Sequence, residues 1–174
     1  AEAVVSIHGG ITRFAQCTLA NYYLFDAITG PILDLYYLLP EESQGATPLM
    51  DARFDNCILY GNTSDISPGD LTGSNVFLRN CLLRSNGSDD ANFINCKWDA
   101  DPKFFTVREE YLFDYRLKNE SDAISAGDSS LCPDNATVDM YGVSRFSHDG
   151  IDIGAYTWVE QVEEDEDAAT GEVQ

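Results

Sequence analysis

The feature that most limits how this chain can fold is a tetrapeptide that occurs four times. It reads Phe14-Ala15-Gln16-Cys17, Phe54-Asp55-Asn56-Cys57, Leu78-Arg79-Asn80-Cys81 and Phe93-Ile94-Asn95-Cys96. Each copy is a large apolar residue, any residue, an amide and a cysteine, and runs such as Cys57-Ile58-Leu59-Tyr60 and Cys81-Leu82-Leu83 surround most of them. The cysteines are 40, 24 and 15 residues apart. Such uneven steps exclude a fixed-period helical array. They fit a solenoid of β-rungs, in which strands stack in register and loops of any length leave from the corners. Residues three apart on a strand point to opposite faces. The apolar residue and the cysteine can therefore both face inward only if the chain turns a corner between them, at the amide. An amide carries both a donor and an acceptor, so amides stacked one rung apart, at about 4.8 Å, can hydrogen-bond along the stack.

Cysteine behaves as a small hydrophobe and fits a narrow interior. A reduced core ladder is the expectation for these thiols. A zinc site would need Cys or His pairs roughly two to five residues apart, and the sequence has none. Disulfides are the alternative, although five cysteines cannot all pair.

The chain has 174 residues, enough for one domain with a core of its own, and its hydrophobic content of 44% is ordinary for a globular protein. Thirty acidic against ten basic residues give a net charge of −20. That excludes nucleic acid, whose phosphates need a basic surface, and docking on anionic lipid. It suits a secreted or surface protein. The start, Ala1-Glu2-Ala3, lacks the basic opening and long apolar core of a signal peptide, while Val4, Val5 and Ile7 are already strand-like. We therefore expect the C-terminal part of something longer. The apolar stretch from Tyr22 to Leu39 is broken by Asp26, Asp34 and Gly30-Pro31, so no membrane-spanning segment is expected.

Taken in order, residues 1–105 read as parallel rungs with a long insertion at about 24–48, rich in Tyr and Leu. Its start can complete a rung, and its end, Pro40 to Gly45, reads as surface loop. Residues 63–74, rich in Ser, Asp, Gly and Pro, read as a loop. Helix is expected to be scarce, at most a turn or two near 106–113, because no segment sustains a 3.6-residue apolar period. Residues 159–174 hold seven acidic and no basic residues and read as a flexible acidic tail.

After Asp101-Pro102 the texture changes. Arg116-Leu117 is followed by Ser121, Ala123, Ile124 and Gly127, then by Asp139, Gly142 and Arg145, and finally by Asp152-Ile153-Gly154-Ala155-Tyr156. This ending resembles that of bacterial right-handed parallel β-helix proteins of the choice-of-anchor Q type, within the pectate-lyase-like superfold. Asp122, Ser125 and Thr157 depart from that pattern, where the family has Pro, Asp and Glu. The resemblance implies that residues 106–158 form a C-terminal cap that closes the solenoid. The residues support closure independently, since an open solenoid end exposes unpaired backbone. The planar fork of Arg145 can clamp a carboxylate such as Asp139 or Asp152.

Catalytic chemistry is thin. Asp89-Asp90 is a carboxylate pair of the kind glycosidases use, but it sits in an Asn-Gly-Ser turn where solvated Asp is ordinary. Arg116-Leu117-Lys118 resembles the basic triplet of polygalacturonase-like enzymes, yet their Gly-His-Gly element is absent around His8 and His148. A calcium-dependent lyase needs several carboxylates and a Lys or Arg base. Lys97, Asp99, Asp101 and Lys103 lie close together, but with no diagnostic spacing. Neither a Ser-His-Asp nor a Cys-His site is indicated. No cofactor is expected, and calcium is the ion such carboxylates would take. Sequons at Asn62, Asn86, Asn119 and Asn135 matter only in a eukaryotic secretory route.

The reading is thus an all-β chain, a right-handed parallel β-helix of few rungs with a C-terminal capping region. Its expected function is non-catalytic, as an extracellular or outer-membrane-surface scaffold or adhesin-type module. The expected partners are a polysaccharide or another surface protein. The alternative is a polysaccharide lyase or glycoside hydrolase whose active site lies on rungs outside this segment. The expected ligand-binding residues are Tyr36 and Tyr37, since an apolar loop on a rigid acidic scaffold marks a contact surface.

Overall fold

The computed structural model describes residues 3–22, 29–36, 50–107 and 112–162. Strands dominate them and no α-helix occurs among them. Ten short strands build three parallel sheets. The first contains β1 (Val5–Ser6), β4 (Leu33–Asp34) and β7 (Ile66–Ser67). The second contains β2 (Gly10–Ala15), β5 (Met50–Asp55), β8 (Val76–Arg79) and β10 (Phe93–Ile94). The third contains β3 (Thr18–Asn21), β6 (Ile58–Gly61) and β9 (Leu82–Leu83). From β1 to β9 the chain visits the three sheets in the same cyclic order, three times over.

The tetrapeptide sets the register. Phe14 pairs with Phe54, Phe54 with Leu78, and Leu78 with Phe93. The Phe14 and Phe54 rings stack with centroids 5.0 Å apart and planes 5° from parallel. Next along the chain, Leu19 pairs with Leu59 and Leu59 with Leu83. These rows meet Leu33 and Leu35 in one core with Cys57 and Cys81. Burying a side chain such as Phe54, which is fully enclosed, contributes roughly 1.5–3 kcal/mol.

The corner works as the spacing requires, but by backbone more than by side chain. Gln16, Asn56, Asn80 and Asn95 have φ of +53°, +51°, +49° and +53°. That left-handed conformation turns the chain, and asparagine is among the few side chains that tolerate it. Each corner cysteine then donates its thiol to the carbonyl two residues back: Cys17 to Ala15 at 3.2 Å, Cys57 to Asp55 at 3.3 Å, Cys81 to Arg79 at 3.5 Å and Cys96 to Ile94 at 3.8 Å. All five cysteines are free thiols. Burial holds the Cys81 thiol well above its ordinary pKa, and Cys17 is raised by its contact with the Cys57 thiol and by burial. A continuous amide ladder is not what the corner uses. Gln16 and Asn56 do meet, with Asn56 Nδ2 donating to Gln16 Oε1 at 3.3 Å in the amide orientation that satisfies both ends of Gln16. Beyond that pair the row is not sealed, since Asn80 is half-buried and Asn95 is exposed.

Two strands lie where the composition reads as insertion or loop. β4 falls inside 24–48, with Ile32, Leu33 and Leu35 fully buried, and β7 falls inside 63–74. Each is two residues long, too short for any periodicity to register.

The rest of the described chain packs on the outer face of the third sheet. β11 (Phe104–Thr106) and β12 (Asp114–Leu117) pair antiparallel. Two 3-10 turns follow in this part of the chain, Ser129–Leu131 and Asp134–Ala136, while residues 108–111 of the expected helical stretch lie outside the described residues. Ile58 and Leu82 alternate with the inward Leu59 and Leu83, so they face outward. They form a second core with Phe104, Leu117, Ala123 and Ile153. Residues 123–157 act as a strap across the corner: Gly154 N–H donates to Asn56 O at 2.8 Å and Ala155 N–H to Thr18 Oγ1 at 3.0 Å. Gly154 has φ of +105°, and a Cβ there would lie 2.6 Å from Ile58 Cδ1, so both conformation and space demand glycine.

Arg145, 5% exposed, anchors the strap. Its fork donates to carbonyls rather than to the carboxylates the sequence offered: Ala136 at 3.0 Å, Gly154 at 3.2 Å and Ala155 at 2.8 Å. Burial lowers its pKa, while the charges of Asp139 and Asp152 raise it. Those aspartates instead tie backbone N–H groups. Asp139 accepts from Tyr141, Val143 and Thr157, and Asp152 from Ser125 and Trp158.

Candidate functional site

Of the two tyrosines expected to bind ligand, Tyr36 follows the buried Leu35 directly and is half-buried, with its ring stacked on His8 at 4.7 Å and 12°. Tyr37 lies outside the described residues. The carboxylates considered for catalysis have structural partners. Asp90 Oδ1 accepts from Asn92 N and Phe93 N at 2.7 and 2.8 Å, and Asp89 Oδ1 from Trp98 Nε1 at 3.0 Å and Cys96 N at 3.1 Å. Asp101 pairs with Lys103 at 2.9 Å. Arg116 pairs with Asp114 at 2.5 Å and lies over the Phe105 ring at 5.0 Å.

A larger feature runs along the ends of the third-sheet strands. Two open depressions of about 630 and 360 Å³ share Tyr60, Asn62, Arg84 and Asp101. The sheet explains the placement. Tyr22 follows the end of β3, Tyr60 lies on β6 and Arg84 follows β9, so successive strands of the third sheet deliver one group each to the same flank. Tyr22 and Tyr60 lie 6.4 Å apart, and both point edge-on at Phe104, at 6.4 and 6.3 Å. Burial raises both phenols, and Tyr60 adds to the effect at Tyr22 and Asp101 at Tyr60. Both remain neutral O–H donors.

Arg84 donates through Nη1 to Gly61 O at 2.8 Å. No carboxylate among the described residues forms an ion pair with it. Beneath it, Asp65 is 1% exposed and accepts from Ser85 N at 2.8 Å, while its Oδ1 has no partner. Burial raises the Asp65 pKa, against the hydrogen bond from Ser85. The groove therefore presents half-buried aromatic rings, neutral hydroxyls, a guanidinium that makes no ion pair with a described residue, an amide and carboxylates. Such a set stacks on apolar ring faces and exchanges hydrogen bonds with hydroxyl groups.

The strap also assembles a trio that sequence spacing does not reveal. Ser125 Oγ lies 3.3 Å from His148 Nδ1, and His148 Nε2 lies 3.1 Å from Asp152 Oδ2. The order matches a nucleophile, base and orienting acid, but the proton is directed elsewhere, because Ser125 Oγ donates to Asp149 O at 2.5 Å. Trp158 N–H donates to the same Asp152 Oδ2 at 2.7 Å. The trio ties Ser125 to residues 148–152 within the strap.

The chain matches no family model, no curated protein and no solved structure. Among the described residues no group of three or more His, Cys, Asp or Glu side chains is placed to hold a metal. No helix among them is long and apolar enough to cross a membrane.

Proposed function

We propose that this chain is part of a right-handed parallel β-helix of a secreted or cell-surface bacterial protein, and that it binds polysaccharide in the Tyr22–Tyr60–Arg84 groove without cleaving it. Three rounds of the same sheet order, joined by parallel pairing, support the helix. Parallel crossovers are right-handed in about 98% of cases, which supports the hand. The resemblance of the C-terminal residues to choice-of-anchor Q proteins supports the same reading and an extracellular or outer-membrane-surface location. The observation that carries the binding proposal is Arg84. In a chain with only ten basic residues, this one has no ion pair with a described residue and stands beside two half-buried tyrosines. Rings with a polar edge favour sugars and protein surfaces alike. Two adjoining open depressions that share Tyr60, Asn62, Arg84 and Asp101 favour an extended polymer over a single small ring.

A glycan array probed with the chain, followed by product analysis on neutral and acidic polysaccharides, tests this. Retention of a polysaccharide without product, weakened at least tenfold by Arg84→Ala, is the expected result. No retention removes the proposal. Product formation replaces it with lyase or hydrolase activity.

A further inference from the structure

The three parallel sheets finish differently at their two extremes. At one end β10 is only two residues long, Trp98 packs on Phe93 with ring centroids 5.0 Å apart, and Asn92, 3% exposed, donates its side chain to Val76 O at 2.7 Å. A short edge strand with its neighbours tied down is a protected end. At the other end lie β1, β2 and β3, each the outermost strand of its sheet. β2 keeps continuous register with β5 over its six residues and contains no proline. Gln16 N–H donates to Asp55 O at 3.0 Å, and Cys17 O and Asn21 O accept from Ile58 and Asn62 N–H at 2.9 Å. Alternation therefore turns the N–H and C=O groups of Ile11, Arg13, Ala15, Thr18 and Ala20 to the outer side, where no described residue pairs with them. The core is open there too. Phe14 and Cys17 are half-buried, whereas Phe54 and Cys57, one strand further in, are fully enclosed.

A row of unmet backbone groups is satisfied by another extended strand. The charge pattern selects which one. β1, β2 and β3 contain one basic residue, Arg13, and no acid, in a chain with thirty acidic residues. The carboxylates nearest to them are engaged: Asp34 accepts from Ser6 Oγ at 3.2 Å, Asp51 pairs with Arg13 at 2.8 Å and Asp55 with Arg79 at 2.6 Å. Two chains of net charge −20 repel over most of their surfaces, and at this end the repulsion is least. We propose that the open end binds a second copy of this chain, β2 against β2, antiparallel across a two-fold axis. Such an interface is self-complementary. It sets Ile11 of one copy opposite Ala15 of the other, and Arg13 opposite Arg13, so each outward N–H meets an outward C=O. The two arginines do not meet as bare like charges, because Asp51 holds each of them. Phe14 of both copies then closes the apolar end. The interface is independent of glycan binding, since the groove lies on the flank of the third sheet.

Sedimentation of the chain over a concentration series, together with amide hydrogen exchange, tests this. A monomer–dimer equilibrium should appear, and the Ile11, Arg13 and Ala15 amides should exchange more slowly as concentration rises. Ile11→Pro removes an N–H that no described residue uses, on an edge strand where proline is tolerated. This variant should melt with the monomeric parent and stay monomeric. Ile11 is 71% exposed, so Ile11→Glu keeps the fold and places acid at the edge. Its dimer should weaken about tenfold at low salt and recover as salt screens the charge. A monomer at every concentration overturns the inference. So does a dimer that neither substitution affects, or an assembly that grows beyond two copies. A monomer whose three amides are already protected assigns the edge to another segment of the chain and overturns it as well.

Discussion

Asn56 and Asp128, 72 residues apart, are joined by two reciprocal hydrogen bonds. Asn56 Nδ2 donates to Asp128 O at 2.9 Å, and Asp128 N–H donates to Asn56 Oδ1 at 2.8 Å. One amide thus turns a corner and fastens the strap to it.

This separates two roles of the repeated amide. At Asn80, where φ is +49°, the demand is conformational. Asn80→Gly should keep stability within about 0.5 kcal/mol, and Asn80→Ala should lose about 1–2 kcal/mol. At Asn56 the side chain itself is needed, so Asn56→Gly should also lose about 1–3 kcal/mol for each stranded backbone group. Chemical denaturation of the three variants decides this. Equal losses for Asn80→Gly and Asn80→Ala would restore the side-chain ladder.

The thiols divide by burial. Cys57 and Cys81 are fully enclosed, whereas Cys17, Cys96 and Cys132 are half-buried. Thiol labelling under native conditions should leave Cys57 and Cys81 unmodified until the chain unfolds, and the intact mass should correspond to five free thiols. Rapid native labelling at Cys57 would contradict the packing of the second corner.

Asp65 sets a pH dependence. Its folded pKa is raised by burial, so the fold favours the neutral acid. That contribution is present below the unfolded pKa and is lost as pH rises through the raised folded value. Asp51 and Asp114 act in the opposite sense. Their arginine partners hold them below their ordinary value, so they lose stability as pH falls. Asp65→Asn isolates the first effect. It should gain about 1 kcal/mol at neutral pH, roughly 2–4 °C in melting temperature, and the gain should vanish as the pH drops below the folded pKa. A constant difference across the range would contradict it.

Arg145 is the strap's anchor. Arg145→Ala strands three carbonyls and leaves Asp139 and Asp152 without a compensating charge, a loss of about 3 kcal/mol or more. Limited proteolysis should then cut between residues 123 and 157 before the three sheets unfold. Simultaneous loss of both regions would mean that strap and sheets form one cooperative unit.

Much of the sheet-forming part is legible in the sequence because Phe54 and Cys57 are three residues apart and both apolar. Only a corner at Asn56 lets both face inward. β4 and β7 are not legible, because Leu33–Asp34 and Ile66–Ser67 are too short to show alternation and gain their place from the strands they pair with. Arg145 is recognisable as a clamp, but its partners are carbonyls brought together by tertiary packing, which no residue spacing encodes. The groove escapes for the same reason. Tyr22, Tyr60 and Arg84 lie 38 and 24 residues apart and become neighbours only through strand register. The visible cue is the Tyr-rich apolar stretch, from which the sequence reading selects Tyr36 and Tyr37 rather than Tyr22, the residue just after β3.

The most direct measurement is an NMR titration of the labelled chain with neutral and uronic-acid oligosaccharides. At least one oligosaccharide should give saturable shifts at Arg84 Nε, the Asn62 amide and the rings of Tyr22 and Tyr60. The effect should be lost in Arg84→Ala while the Phe14, Phe54 and Phe93 resonances stay unchanged. Absence of saturable shifts with every oligosaccharide, or shifts confined to other surfaces, would contradict the groove as the binding site.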